Sequence, residues 1–169
     1  MAYTFRGGIH PGTKNDPGFK AATNKKPIEV LKAPDKVILP VSMHIGAPAK
    51  PLVKKGDIVN MGQMIAEAGG FVSAPVHASV SGKVVDVVPM LHQNGSKVLS
   101  IVIENDHEDR LDESVKPKDF EAMSNDERIQ AIWDAGIVGH GGATFPTHVK
   151  IKSGIGKCDT ILINGAECE

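Results

Sequence analysis

Glycines at 136, 139, 141 and 142 stand just ahead of Phe145 and Pro146, and Lys150 lies four residues past the proline. Glycine lets backbone amides approach a ligand with no Cβ in the way. Proline suits the start of a helix, where its missing N–H is not needed. A glycine-rich turn that feeds a helix therefore offers free N–H groups at the positive end of the dipole, a good match for a phosphate. Lys150, about one turn into that helix, adds a full positive charge. The same glycines also suit plain turns, and spacing alone does not choose between the two. The string GHGGATFPTHVK is not a Walker loop, since no Gly-Lys-Ser/Thr follows. Nor is it the usual dinucleotide fingerprint, because Thr144 stands where a third glycine or alanine belongs.

Helices must frame such a loop. Ser124 and Glu127 have the spacing of a capping box, and Ile129, Ile132 and Trp133 fall on one helical face that Ala135 and Gly136 close. A second helix follows the loop, with His148 on it at the surface. Ile161, Leu162 and Ile163 then read as a buried strand, so the order is α-loop-α-β, the opening of an α/β domain. One terminal strand has no partner here, and a stable sheet needs more. The sequence is therefore expected to be a piece of a longer protein.

Upstream the pattern changes. Residues 1–36, rich in Gly, Pro, Asn and Lys, read as an extended N-terminal arm. Residues 37–112 hold short β segments cut by glycine turns: 37–41, 51–53, 58–59, 64–66, 76–80, 83–88 and 98–103. Strands this short, with turns this frequent, suggest a small barrel or sandwich. The charged run at 106–112 reads as a solvated linker, and residues 113–169 as the α/β part. The fold class is α+β in two parts.

Composition narrows the function classes. Apolar residues are 41% of the chain and aromatics only 4%, so a core of Val, Ile, Leu, Ala and Met is expected. A net charge of −1, with no concentrated basic run, gives no case for nucleic acid. No segment nears the ~18 apolar residues of a membrane span, and the N-terminus lacks an apolar signal core. Two cysteines, Cys158 and Cys168, make no disulfide framework and read as structural thiols in a reducing, cytoplasmic setting. The seven histidines lack His-x-x-x-His or mixed Cys/His spacing, which argues against a metal site. His10 and His44, beside glycine and proline turns, are expected to pin those turns by hydrogen bonds.

Three stretches together resemble a known family. They are FRGGIHP (residues 5–11); HIGAPAKPLVKKGDIVNMGQMIA (44–66) with SAPVHASVSGKV (73–84); and GIVGHGGATFPTHVK (136–150) with ILINGAECE (161–169). In this order they are similar to the C subunit of the Rnf electron-transport complex. The resemblance implies that residues 37–112 form a barrel-sandwich hybrid, similar to lipoyl and biotinyl carrier domains. The interval where a carrier has its modified lysine is EAGGFVSAP (67–75), which has no lysine, so a packing or docking module is expected. An acyl- or biotin-carrier reading would need a covalent adduct elsewhere.

The later segment resembles the flavin-binding domain of the complex I flavoprotein subunit, with pattern G-x-G-G-A-x-F-P-T-x-x-K and then N-x-x-E-x-E. By that resemblance Gly139, Gly141, Gly142, Ala143, Phe145 and Lys150 hold the phosphate and ring edge of FMN. Asn164 hydrogen-bonds the flavin, and Glu167 and Glu169 lie near flavin and nicotinamide. Complex I has an arginine where His140 stands and an aspartate where Ala166 stands. The family's 4Fe-4S ligands lie in a downstream region that this sequence does not contain, and two cysteines cannot supply them. The resemblance thus implies a subunit passing electrons from NADH through FMN toward iron–sulfur centres. Its partners would be other subunits of a complex, and it would be peripheral to the cytoplasmic membrane. The 169 residues alone are expected to be inactive. The rival reading is a non-catalytic docking module of such a complex.

Overall fold

The computed structural model describes residues 20–140 and 142–162. The chain divides into two compact units, Met1–Lys32 and Ala33–Glu169. In the first, a turn at residues 20–26 is held by the Thr23 and Asn24 amides, which both donate to the Lys20 carbonyl.

The second unit contains seven strands and two helices among the described residues. The strands are β1 (Lys36–Pro40), β2 (Lys50–Pro51), β3 (Ile58–Val59), β4 (Met64–Glu67), β5 (Val76–His77), β6 (Gly82–Leu91) and β7 (Lys97–Asn105). They form two antiparallel sheets, one in the order β1-β7-β6-β3 and one in the order β2-β4-β5. The long β6–β7 hairpin carries most of the strands' β-branched residues, which suit a half-buried pleated surface. Its register runs from Gly82 opposite Asn105 to Leu91 opposite Lys97. A register shift between Val84 and Asp86 bends β6.

The core follows from the strand pattern. Ile65, Ile101, Ile103, Val59 and Val84 are fully buried and join one apolar cluster. At about 25 cal/mol per Å² of apolar surface, burial of such side chains is the main favourable term. Gly82, in the interval expected to be a glycine turn between segments 76–80 and 83–88, is instead the first residue of β6. Its φ is +152°, and a Cβ there would lie 1.9 Å from the Glu104 carbonyl oxygen. The backbones of β6 and β7 meet closely at that point.

Residues 106–112 are not a free linker. Ser81 donates to Asp106 (2.6 Å), the Arg110 amide donates to Ser81 (3.1 Å), and the Arg110 guanidinium bonds both Asp106 and Glu108. The Met61 amide donates to the Arg110 carbonyl and the Asp112 amide to Met61. Charge alone suggested solvation. Backbone pairing with residue 61 and the Ser81 hydroxyl hold the run against the barrel.

Helix α1 (Asn125–Asp134) starts at the expected capping box: the Glu127 amide donates to the Ser124 hydroxyl, and the Ser124 amide donates to the Glu127 carboxylate. It ends at Ala135, with Gly136 at φ +68°. Helix α2 (Thr147–Gly154) starts after Pro146. Ile161 and Leu162 lie in no strand and are exposed, at 83% and 93%. Among the described residues no strand lies beside them, so the apolar run has nothing to pair with; Ile163 is outside the described residues.

Candidate functional site

The glycine-rich loop joins α1 to α2 and is closed at its base by backbone pairing. Gly139 N–H donates to the Phe145 carbonyl (2.9 Å) and Thr147 N–H to the Ile137 carbonyl (3.1 Å), around a bridge between Val138 and Pro146. Beyond that base the amides of His140, Gly142, Ala143 and Phe145 have no acceptor among the described residues. The amides of His148 and Val149, in the first turn of α2, also have none, because Pro146 provides no side-chain cap. A cluster of uncapped donors at a helix start favours an anion.

Lys150 completes this corner. Its side chain folds back over the loop, so that a Cβ built on Gly139 would lie 2.9 Å from the Lys150 Nζ. The ammonium is exposed and has no carboxylate partner among the described residues. Gly142, at φ +51°, opens onto free space, with nothing within 4 Å of a Cβ built there. The structure thus brings Gly139, Gly142, Ala143, Phe145 and Lys150 together at one corner. Gly141, Asn164, Glu167 and Glu169 lie outside the described residues.

The barrel holds the loop from below. Thr144 donates its hydroxyl to the Met43 carbonyl (2.8 Å), and Ile45 N–H donates to the Ala143 carbonyl (3.1 Å). Thr144 stands at φ +48°, a conformation a β-branched residue rarely adopts, and these bonds help fix it. His44 secures the gripping segment: Ala74 N–H donates to its Nε2 (3.1 Å) and its Nδ1–H donates to the Ile45 carbonyl (3.0 Å). It pins the turn as expected; His10 is outside the described residues.

His148 is a correction. Placed on the surface by sequence, it is 1% exposed. Its ring stacks on Trp133 of α1, centroids 4.5 Å apart and 9° from parallel. Its Nε2–H donates to the Phe71 carbonyl at the barrel tip (3.0 Å). Neither contact is local in sequence, and no spacing rule reveals a partner so far along the chain.

A second feature lies on another face of the same unit. A cleft of about 790 Å³ opens between the barrel and α1, lined chiefly by Met64, Val115, Phe120, Ile132 and Ile137. His77, also in its wall, has its pKa lowered by burial, partly offset by the Asp134 carbonyl and carboxylate. Among the described residues no group of three or more His, Cys, Asp or Glu could hold a metal ion, and no helix is long and apolar enough to cross a membrane.

Comparison with known proteins places this architecture. Residues 3–108 match the RnfC barrel sandwich hybrid domain. The chain belongs to the RnfC family. Residues 132–169, which include the glycine-rich loop and Lys150, match the Nuo51 FMN-binding domain. Across 98% of its length the chain is 51% identical to the C subunit of the Na(+)-translocating ferredoxin:NAD(+) oxidoreductase complex of Acetobacterium woodii, covering 37% of that protein. It is 47% identical to the C subunit of the proton-translocating ferredoxin:NAD(+) oxidoreductase complex of Clostridium ljungdahlii, over all of this chain and 36% of that one. The C subunit of the ion-translocating oxidoreductase complex of Rhodobacter capsulatus is 41% identical over all of the chain and 32% of its own length. The chain thus spans about a third of these RnfC relatives.

Proposed function

We propose that this RnfC chain contributes the phosphate-binding corner of an FMN site to an electron-transfer subunit. That subunit would pass electrons from NADH through FMN toward 4Fe-4S centres and partner subunits of a membrane-associated complex. The observation that carries the reading is the Lys150 ammonium resting over Gly139, beside uncapped amides at the start of α2. The match of residues 132–169 to an FMN-binding domain supports the identity of the anion. The residues fit the group: the Lys150 ammonium is unpaired among the described residues, Gly142 leaves open space, and the loop is pre-shaped by its base pairing.

In this reading Gly139, Gly141, Gly142, Ala143 and Phe145 offer the backbone surface, and Lys150 the charge. Asn164 would hydrogen-bond the flavin, with Glu167 and Glu169 near flavin and nicotinamide. FMN, when bound, supplies the redox chemistry, taking up a hydride and releasing electrons singly. The chain's own part is to bind and orient. No acid or base is asked of it. With two cysteines it cannot ligate a cluster by itself, so we propose that the 169 residues alone do not turn over.

Titration of FMN, followed by quenching of flavin fluorescence, tests the reading. Binding weaker than about 1 μM, with riboflavin weaker still, is the expected result. Equal affinity for riboflavin, or no FMN binding at any concentration, would overturn it. Sub-micromolar FMN binding would overturn the view that this chain holds only part of the site.

A second reading, a non-catalytic docking module, is favoured by one observation: the apolar cleft between the barrel and α1, whose wall includes the exposed Val115, Phe120 and Ile137. Stable capture of the other proteins of the complex by a chain indifferent to FMN would favour it.

A further inference from the structure

The barrel tip and two aromatic rings converge on the base of the glycine-rich loop. Trp133 lies in the last turn of α1, where the loop begins; His148 lies in the first turn of α2, where it ends. Their stacked rings therefore join the two ends of the loop. The third member is Phe71, in the barrel segment between β4 and β5. Its carbonyl accepts the His148 Nε2–H, and its ring meets the imidazole edge-on at 5.9 Å. The Lys152 ammonium also lies 5.9 Å from the Phe71 ring centroid.

Histidine has the properties this position demands. A flat ring is needed to lie within 9° of the indole plane, and an N–H on the ring edge is needed to reach a carbonyl. Phenylalanine has the first and not the second. Glutamine has a donor at about the reach of Nε2 and no ring. With Nε2–H committed to Phe71, Nδ1 is the bare nitrogen, and it has no hydrogen-bond partner among the described residues.

We infer that His148 is a positioning residue: clamped between Trp133 and the Phe71 carbonyl, it fixes the spacing of the loop ends and so holds the glycine-rich loop and Lys150 in binding geometry before any ligand arrives. The segment of the barrel that carries a modified lysine in similar carrier folds serves here as an internal latch. A loop ordered in advance loses less freedom on binding, which strengthens affinity without a new contact. The inference rests on the FMN reading for its ligand, but the latch itself can be tested without one.

The experiment uses His148→Phe and His148→Gln in this chain, with two readouts. In the first, amide hydrogen exchange without ligand follows Gly139, Thr147 and Ile45, whose N–H groups hold the loop base and the barrel grip. His148→Phe should speed exchange at these three by about tenfold, while Ile101 and Ile103 in the core stay protected, which shows that the chain still folds. His148→Gln should recover at least half of the loss on a logarithmic scale. In the second, FMN affinity should fall by about fivefold to tenfold in His148→Phe and recover in His148→Gln. Unchanged exchange in His148→Phe, or a glutamine variant no better than phenylalanine, overturns the latch. If the exchange results hold while the parent chain ignores FMN, the latch stands and the FMN reading fails.

Discussion

Gly139→Ala tests whether Gly139 is kept for a ligand rather than for the fold. A Cβ at Gly139 would meet the Lys150 Nζ at 2.9 Å, while its other neighbours, the Phe145 carbonyl oxygen and amide, lie at 3.5 and 3.6 Å. The close atom is the free end of a flexible side chain, so the methyl displaces the ammonium and leaves the backbone in place. Gly→Ala at an unstrained site tends to stabilise by about 0.4–1 kcal/mol through the unfolded chain, so net stability should stay within about 1 kcal/mol. In melting temperature that is a shift within about 4 °C. Displacing Lys150 removes a charge-assisted contact of about 1.5–3 kcal/mol when well formed. Its exposure discounts this to about 1 kcal/mol, roughly fivefold in FMN affinity. Gly136→Ala is the contrast. At φ +68°, its Cβ would lie 2.6 Å from the Pro75 carbonyl oxygen, a backbone atom. Left-handed strain and overpacking there should cost about 2–4 kcal/mol, with a melting point lowered by roughly 6 °C or more. Thermal melts and FMN titration of both variants decide the matter. The reasoning fails if Gly139→Ala melts as early as Gly136→Ala, or if it binds FMN as tightly as the parent chain.

Lys150→Gln should weaken FMN by roughly fivefold to tenfold, leave riboflavin binding unchanged, and remove much of the salt dependence of FMN affinity between low and high ionic strength. Ile103→Ala, at a fully buried core position, should cost about 2–5 kcal/mol in chemical denaturation, with no selective effect on the loop amides. The Ser81 hydroxyl is the first cause of the lowered Asp106 pKa, with the Glu108 amide and Arg110 adding to it. A depressed carboxylate stabilises the fold above its ordinary pKa and loses that contribution as pH falls through the folded value. Ser81→Ala should therefore melt below the parent at neutral pH, and the gap should narrow below about pH 4, as followed by circular dichroism across pH.

Local signals in the sequence gave the elements of the fold. Glycine turns and β-branched runs marked the barrel strands, and the Ser124–Glu127 pair marked the start of α1, because turn and cap chemistry act within a few residues. The glycine spacing ahead of Pro146 located the loop for the same reason. The length of β6 was less legible, since Met90 and Leu91 extend it only by pairing with Val98 and Lys97 across the hairpin.

By itself, then, the sequence determined the α+β order, the β-rich barrel, the capped helix and the donor-rich loop, along with a family resemblance that comparison bears out. Tertiary structure alone decided the rest. It buried His148 against Trp133 and Phe71, folded Lys150 over Gly139, and fastened residues 106–112 to Ser81 and Met61. The physical reason is range. Caps and turns are satisfied by near neighbours, whereas a ring or a charge takes its partner from whichever distant segment the packing of strands and helices brings alongside.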